Sequence, residues 1–348
     1  MKQARLGILL AAVLTLVAAI LPAYAQSAPA LKKLHWDVSL FGSPRQLTYP
    51  IDDWAKAMSK ATDGLWDIEL HYGSVLSPAK DQLKGLKAGL YQAALWVPMY
   101  NPGITPLHNV QELAFLAPST IKETGEWMWK LGKDPAMVKE LANWNAQMLF
   151  PCPLPQYQFM GKKPIRTVED FKGLRIRAAA AMAKPLQGYG AVITMLPAPD
   201  IYTALQRGML DNVLFVWTYG FGSYKLYELS KYATVGVDAG ATGMQVAVNK
   251  EAWNALPKQW QELSDKWVSA NIINLYDEYN NKANAKWLPL FKQAGVEITQ
   301  FPPAEKAKLV AAASDAWTTW AQDVDKRGLP GTRILSLAKS IKANLNGQ

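Results

Sequence analysis

The chain has 348 residues, half of them apolar, with 37 lysines and arginines against 28 acids and one cysteine, Cys152. That composition fills the cores of two ordinary domains and excludes an internal disulfide, so stability must come from packing. The formal charge of +9 is scattered among acids instead of gathered into a stripe, which argues against nucleic acid as a partner while leaving a surface that concentrates small anions.

The N-terminus reads as a secretory signal peptide, residues 1–25. Lys2 and Arg5 precede an apolar run, Leu6 to Leu21, that is short for a membrane span, and Ala23-Tyr24-Ala25 places small residues at the cleavage positions. The other reading, a retained anchor, lacks both a polar stop-transfer pattern and a lipid-accepting cysteine at the cut. The segment would direct export, and cleavage after Ala25 would lower the formal charge from +9 to +7.

Leu34 to Leu40 has a strand pattern, Gly42-Ser43-Pro44 a turn, and Ile51 to Ala61 a helix. Asp52-Asp53 at that helix start fits the positive dipole end better than a catalytic pair. Trp66 to Tyr72 is a second strand, and Ser77-Pro78 reads as an N-cap with proline at the first helical position of a helix running to Gly89. Gln92 to Pro98 is a third strand. The alternation of strand and helix predicts a parallel α/β unit.

A helical region, Ser119 to Met148, and the proline-rich Pro151–Pro155 separate this unit from a second one. Its strands are Leu174 to Ala178, Ile193 to Leu196 and Asn212 to Trp217, with a helix over Asp200 to Arg207. Within Gly173–Ala180, strand alternation sends Leu174, Ile176 and Ala178 to one face, and Arg175 and Arg177 to the other. From Pro257 a helix with Trp260, Leu263, Trp267 and Ala270 at three-four spacing runs to near Phe291, interrupted at Pro289. At about 1.5 Å per residue it would be some 50 Å long, enough to brace both units. A final amphipathic helix carries Leu309, Ala313, Trp317, Trp320 and Val324.

The sequence lacks the serine-hydrolase elbow, the zinc-protease helix motif, the phosphate-binding loop and any cysteine cluster. His35, His71 and His108 are far apart in the chain and read as structural or surface residues. No metal site and no cofactor is expected. Carboxylates assembled only by folding would leave an exported hydrolase as the remaining enzyme reading.

The segment Phe171–Ala180, followed by Gly190–Val213, closely resembles the substrate-binding proteins of tripartite ATP-independent periplasmic (TRAP) transporters, the family of the C4-dicarboxylate-binding subunit. Asp170, Gly173, Leu174, Ile176, Arg177, Gly190, Ala191, Tyr202, Thr203, Ala204, Leu205, Gln206, Gly208 and Asp211 fall on the shared pattern. Weaker likenesses at Lys60–Pro78 and Val248–Pro257 extend it over most of the exported chain.

The resemblance implies a two-domain periplasmic solute-binding fold of the Venus-flytrap type, with a long C-terminal helix bridging both domains. Domain I would comprise residues 33–151 plus about 242–275, and domain II 152–241 plus about 276–345. It implies a small organic acid as ligand, TRAP membrane subunits as partners and a periplasmic location. In that family the arginine matching Arg177 grips the ligand carboxylate, through a planar fork of donors that matches two oxygens. Arg175 reads as solvated or paired with an acid.

The departures from the pattern bear on selectivity. Leu214 and Phe215 stand where polar residues are usual, which argues against a bound cation and for an apolar ligand body. Trp96, Tyr100, Phe215 and Trp217 are the candidates to sandwich it, with Tyr157 and Phe159 near the crossover as weaker ones. A neutral or zwitterionic solute is the alternative ligand class.

Overall fold

The computed structural model describes residues 32–346; the predicted signal peptide and its cleavage position lie outside them. The first unit is built from β1 (Leu34–Ser39), α1 (Tyr49–Ala61), β2 (Trp66–His71), α2 (Gln82–Lys87), β3 (Ala93–Trp96), α3 (Ile121–Gly132), α4 (Pro135–Ala142) and β4 (Ala146–Pro151). The second has β5 (Tyr157–Gly161), β6 (Arg175–Arg177), α5 (Ala180–Gly188), β7 (Val192–Thr194), α6 (Ile201–Gln206), β8 (Asn212–Val216), α7 (Tyr219–Ser223) and β9 (Tyr232–Val235). The chain then returns through β10 (Gln245–Asn249) and α8 (Lys250–Ala255) to the long α9 (Lys258–Gln293), and closes with β11 (Glu297–Gln300), α10 (Pro303–Lys326) and α11 (Gly331–Asn346).

These strands form two mixed sheets, β2-β1-β3-β10-β4 and β11-β9-β5-β8-β6-β7. The parallel pairings expected of α/β units are present between β1 and β3 and between β6 and both β7 and β8. The antiparallel strands β10 and β5 were not apparent from the alternation of elements, because each belongs to a crossing segment. β10 inserts antiparallel between β3 and β4, and β5 lies antiparallel to β8 and β9.

The two crossing segments before β5 and before β10 are hydrogen-bonded to each other. Cys152 N donates to Met244 O (2.8 Å), Tyr157 N to Gly240 O (2.8 Å) and Ala239 N to Tyr157 O (3.1 Å). A paired two-strand connection allows bending while resisting separation, which suits a hinge.

α9 is the third crossing, and Pro289 does not interrupt it. Proline there removes only one hydrogen bond, in the last turn, while the fully buried Phe291 anchors that turn against Trp217 and Tyr227 at 6.0 and 5.4 Å. Toward its other end, Trp260 stacks on Trp66 at 6.0 Å and Ser264 Oγ accepts from Trp54 Nε1 at 3.0 Å. The buried stripe is Trp260, Ser264, Val268, Ile272 and Tyr276. It therefore diverges from the expected Leu263–Trp267–Ala270 line, because a hydrogen-bonded serine, invisible to an apolar pattern, sits on the buried face.

Other local expectations shift by a turn. The helix after Ser77-Pro78 begins only at Gln82, whose side-chain amide donates back to the Ser77 carbonyl at 3.0 Å. α11 follows the helix expected to be last and ties back to α4 through Arg333 and Asp134. Among the described residues, no helix is long and apolar enough to cross a membrane.

Candidate functional site

β6 is only three residues long, hydrogen-bonded on both sides, with Arg177 opposite Thr194 and Val213. Arg175 and Arg177 share a side of the strand, yet their fates differ. Arg175 is exposed and donates from Nε and Nη2 to Asp211 at 2.9 and 2.7 Å. Arg177 is fully buried.

Its guanidinium donates from Nε and Nη2 to the Leu196 carbonyl at 3.1 and 3.0 Å, and from Nη1 to the Leu214 carbonyl at 3.3 Å. Five N–H donors are available on a guanidinium, so two are not taken by these carbonyls, and the Tyr157 phenol is a partner for one of them. The Tyr157 phenol lies beside the group, and the Phe215 ring lies under it at 5.0 Å. Three fixed bonds to the backbone leave a preorganised cation whose rotamer is already decided.

Arg177 faces a nearly closed cavity of about 10 Å³ between the two sheets, room for about one water, so a solute enters only as the walls part. Phe41, Arg45, Met99 and Tyr100 come from the first unit and Tyr157, Phe215, Tyr219 and Tyr224 from the second. Arg45, not anticipated as a site residue, is a second buried guanidinium, 3% exposed. It donates to the carbonyls of Phe41 (2.9 Å) and Ser43 (2.8 Å) and lies 5.3 and 5.6 Å from the rings of Phe41 and Tyr224. Among the described residues, neither Arg45 nor Arg177 forms an ion pair with an acid. A buried cation without a counter-charge is costly, and a captured anion relieves that cost.

A buried carboxyl that feels the Arg177 charge is Glu112, which accepts from Met99 N at 2.8 Å. Burial pushes it up to about 8, against the opposing influence of the Met99 and Gly243 N–H groups and Arg177. Burial thus favours its neutral form, which does not neutralise either arginine.

The walls are locked across the gap. The Tyr100 hydroxyl, at the end of the short turn after β3, accepts the Ala198 N–H from the loop after β7 at 3.0 Å. Thr218, at φ 50° and ψ −71°, makes a strained γ-turn in which Tyr219 N donates to Trp217 O at 3.0 Å. The Thr218 hydroxyl donates to Asn284 of α9 at 2.7 Å, which holds that turn and with it Tyr219.

Of the residues singled out in the sequence, Arg177, Tyr100, Tyr157 and Phe215 meet at this cavity. Trp96 does not. It packs in the core of the first unit with Leu83, Leu86, Tyr91 and Leu141, 5.2 Å from the His108 ring. Trp217 turns away from the cavity toward Phe221 and Phe291, and Phe159 packs against Phe171 at 5.4 Å without lining the cavity. The Leu214 side chain is buried opposite Phe159, while its carbonyl serves Arg177.

Arg45, Phe41, Tyr219 and Tyr224 also line this cavity, and neither they nor Glu112 were singled out in the sequence. A cation directly after the Gly42-Ser43-Pro44 turn was the available signal for Arg45. The others carry none that alternation reveals. A wider open groove beside α10 shares Met99 and Glu112 with this region, but it holds no buried cation.

The profile of the bacterial extracellular solute-binding proteins, family 7, matches residues 45–323. A monocarboxylate 2-oxoacid-binding periplasmic protein of Nostoc sp. strain PCC 7120 is 29% identical over 245 residues, spanning 67% of this chain and 65% of that protein. A TRAP solute-binding protein from a marine metagenome, specific for aromatic acids and solved with meta-hydroxyphenylacetate, superposes with a TM-score of 0.79 at 20% identity, over 90% of this chain and 99% of that one. One from Rhodoferax ferrireducens T118, solved with copurified benzoate, gives 0.78 at 21% identity over 90% and 99%. The chain belongs to family 7 of the bacterial extracellular solute-binding proteins, the TRAP receptors.

Proposed function

We propose that this protein is a periplasmic receptor for a small organic acid with an apolar, aromatic-compatible body, and that it hands the acid to TRAP membrane subunits. The observation that carries this is Arg177: fully buried, with no acid partner among the described residues, and with a donor left over at the wall of an aromatic-lined cavity. The ligand carboxylate would take that donor, and the rings of Phe41, Tyr157, Phe215 and Tyr224 would cover the body. Arg45, on the other wall, would receive a second acceptor such as an oxo or hydroxyl group. The 2-oxoacid-binding relative and the neighbours holding aromatic acids support this class.

The mechanism is closure of two lobes, residues 33–151 with about 242–275 and 152–241 with about 276–345, around the paired crossing strands. Ligand contacts made by both lobes favour the closed state, with no covalent chemistry. The leader would direct export and be removed after Ala25.

The test is a thermal-shift screen of benzoate, 3-hydroxybenzoate, aliphatic 2-oxo acids and neutral amides, followed by calorimetry of the hits. Saturable stabilisation by acids, with the acid recovered intact by mass spectrometry, supports the reading. Stabilisation by the amides alone, or conversion of the acid, refutes it.

A further inference from the structure

His35 and His71, far apart in sequence, are brought together on the outer strands of the first sheet. Strand alternation explains how. Trp36 and Val38 of β1 and Trp66 of β2 point into the core, with Trp36 against Trp66 at 5.0 Å. The intervening His35 and Asp37, and Asp67, Glu69 and His71, all take the other face. That face is open: side-chain exposure runs from 21% at His71 to 61% at Glu69.

The convergence is specific in its geometry. His35 Nδ1 lies 3.1 Å from Asp67 Oδ2. A proton shared there leaves the other ring nitrogen, Nε2, aimed at Asp37 (3.4 Å) and Glu69 (3.9 Å). His71 Nε2 approaches the same two carboxylates, at 2.6 Å from the same Asp37 oxygen and 4.0 Å from the other Glu69 oxygen, Oε1.

We propose that His35 Nε2, His71 Nε2, Asp37 and Glu69 form a binding site for a divalent transition ion of the zinc type, with Asp67 orienting His35. With metal–ligand bonds of about 2.1 Å, a tetrahedral site places its donor atoms about 3.4 Å apart. One donor atom from each of His35, Asp37 and Glu69 lies within 4.8 Å of the others, close enough to be drawn onto one ion. His71 joins as the fourth donor when its 2.6 Å hydrogen bond to Asp37 opens by about 0.8 Å and the Glu69 carboxylate turns to share one oxygen.

Imidazole with carboxylate is a donor set for zinc or copper, in contrast to the all-oxygen shells of calcium and magnesium. A carboxylate holding the far nitrogen of a ligating histidine is the usual outer support of such sites. In the alternative, a purely ionic cluster, the imidazoles simply neutralise the three acids and no ion is retained. The consequence of binding is mechanical. β2 is the outermost strand of its sheet, and an ion bridging β1 and β2 clamps that edge at a distance from the solute cavity.

The experiment is calorimetric titration of the chelator-stripped, full-length exported protein with zinc chloride, cross-checked by competition with a fluorescent zinc indicator. One equivalent bound with micromolar or tighter affinity is expected. The His35→Ala/His71→Ala double variant should lose that equivalent, and Asp67→Ala should weaken it about 10- to 100-fold. Far-UV circular dichroism verifies that these surface variants are folded. Absence of binding at about 100 μM zinc, or a double variant that titrates like the wild type, overturns the proposal.

Discussion

Truncating Arg177 is the sharpest test of how the cavity works. Arg177→Ala removes a fully buried guanidinium and the donor it reserves for the ligand. Losing one side of a buried charge pair costs about 2–5 kcal/mol of binding, which is a Kd raised about 30- to 5000-fold. The same change strands the Leu196 and Leu214 carbonyls, and each buried acceptor left unpaired costs about 1–3 kcal/mol of folding stability. The two losses separate experimentally, since Tm reports the second and calorimetry on the folded fraction reports the first. Arg177→Lys keeps the charge without the fork and should fall between wild type and alanine in affinity. The assay is titration with benzoate or the strongest hit of the acid screen, below the Tm of each variant. A folded alanine variant whose Kd stays within about threefold of wild type would show that the ligand does not meet this arginine.

Tyr100→Phe deletes the acceptor of the cross-gap bond from Ala198. At about 0.5–1.5 kcal/mol for such a bond, the ligand should dissociate about 2- to 13-fold faster in stopped-flow tryptophan fluorescence, with little change in association. Glu112→Gln isolates a buried acid whose folded value, about 8, lies above its ordinary 4.5. Between those values the unfolded chain loses the proton first, so wild-type stability falls as pH rises. The Tm of the glutamine variant relative to wild type should therefore climb across that window and level off above it. Above pH 8 the wild type should also bind the acid less tightly than the variant, because a charged Glu112 then opposes the anion. Asp134→Asn breaks the contact in which Arg333 holds that carboxyl below its usual range. Its stabilisation is present above the ordinary aspartate pKa and vanishes as pH falls through the lowered folded value. Melting curves of wild type and variant should thus converge in acid and differ at neutral pH.

Strand and helix periodicity were enough to read the two α/β units and the long helix, because those features depend on neighbours in the chain. Alternation also placed Arg175 and Arg177 on one side of β6. It could not say that Arg175 would meet Asp211 in water while Arg177 passed beneath the carbonyls of Leu196 and Leu214. For the same reason Trp96 and Phe215, both apolar and both on inner strands, looked alike. One fills a core and the other a cavity wall. A side chain that faces inward is visible in a linear pattern, but what it faces is set by elements distant in sequence. Arg45 and Tyr100 arrive from one sheet, and Tyr219 and Tyr224 from the other. His35 and His71 show the same principle on the outer surface, where two unremarkable residues converge on one carboxylate once their strands lie side by side.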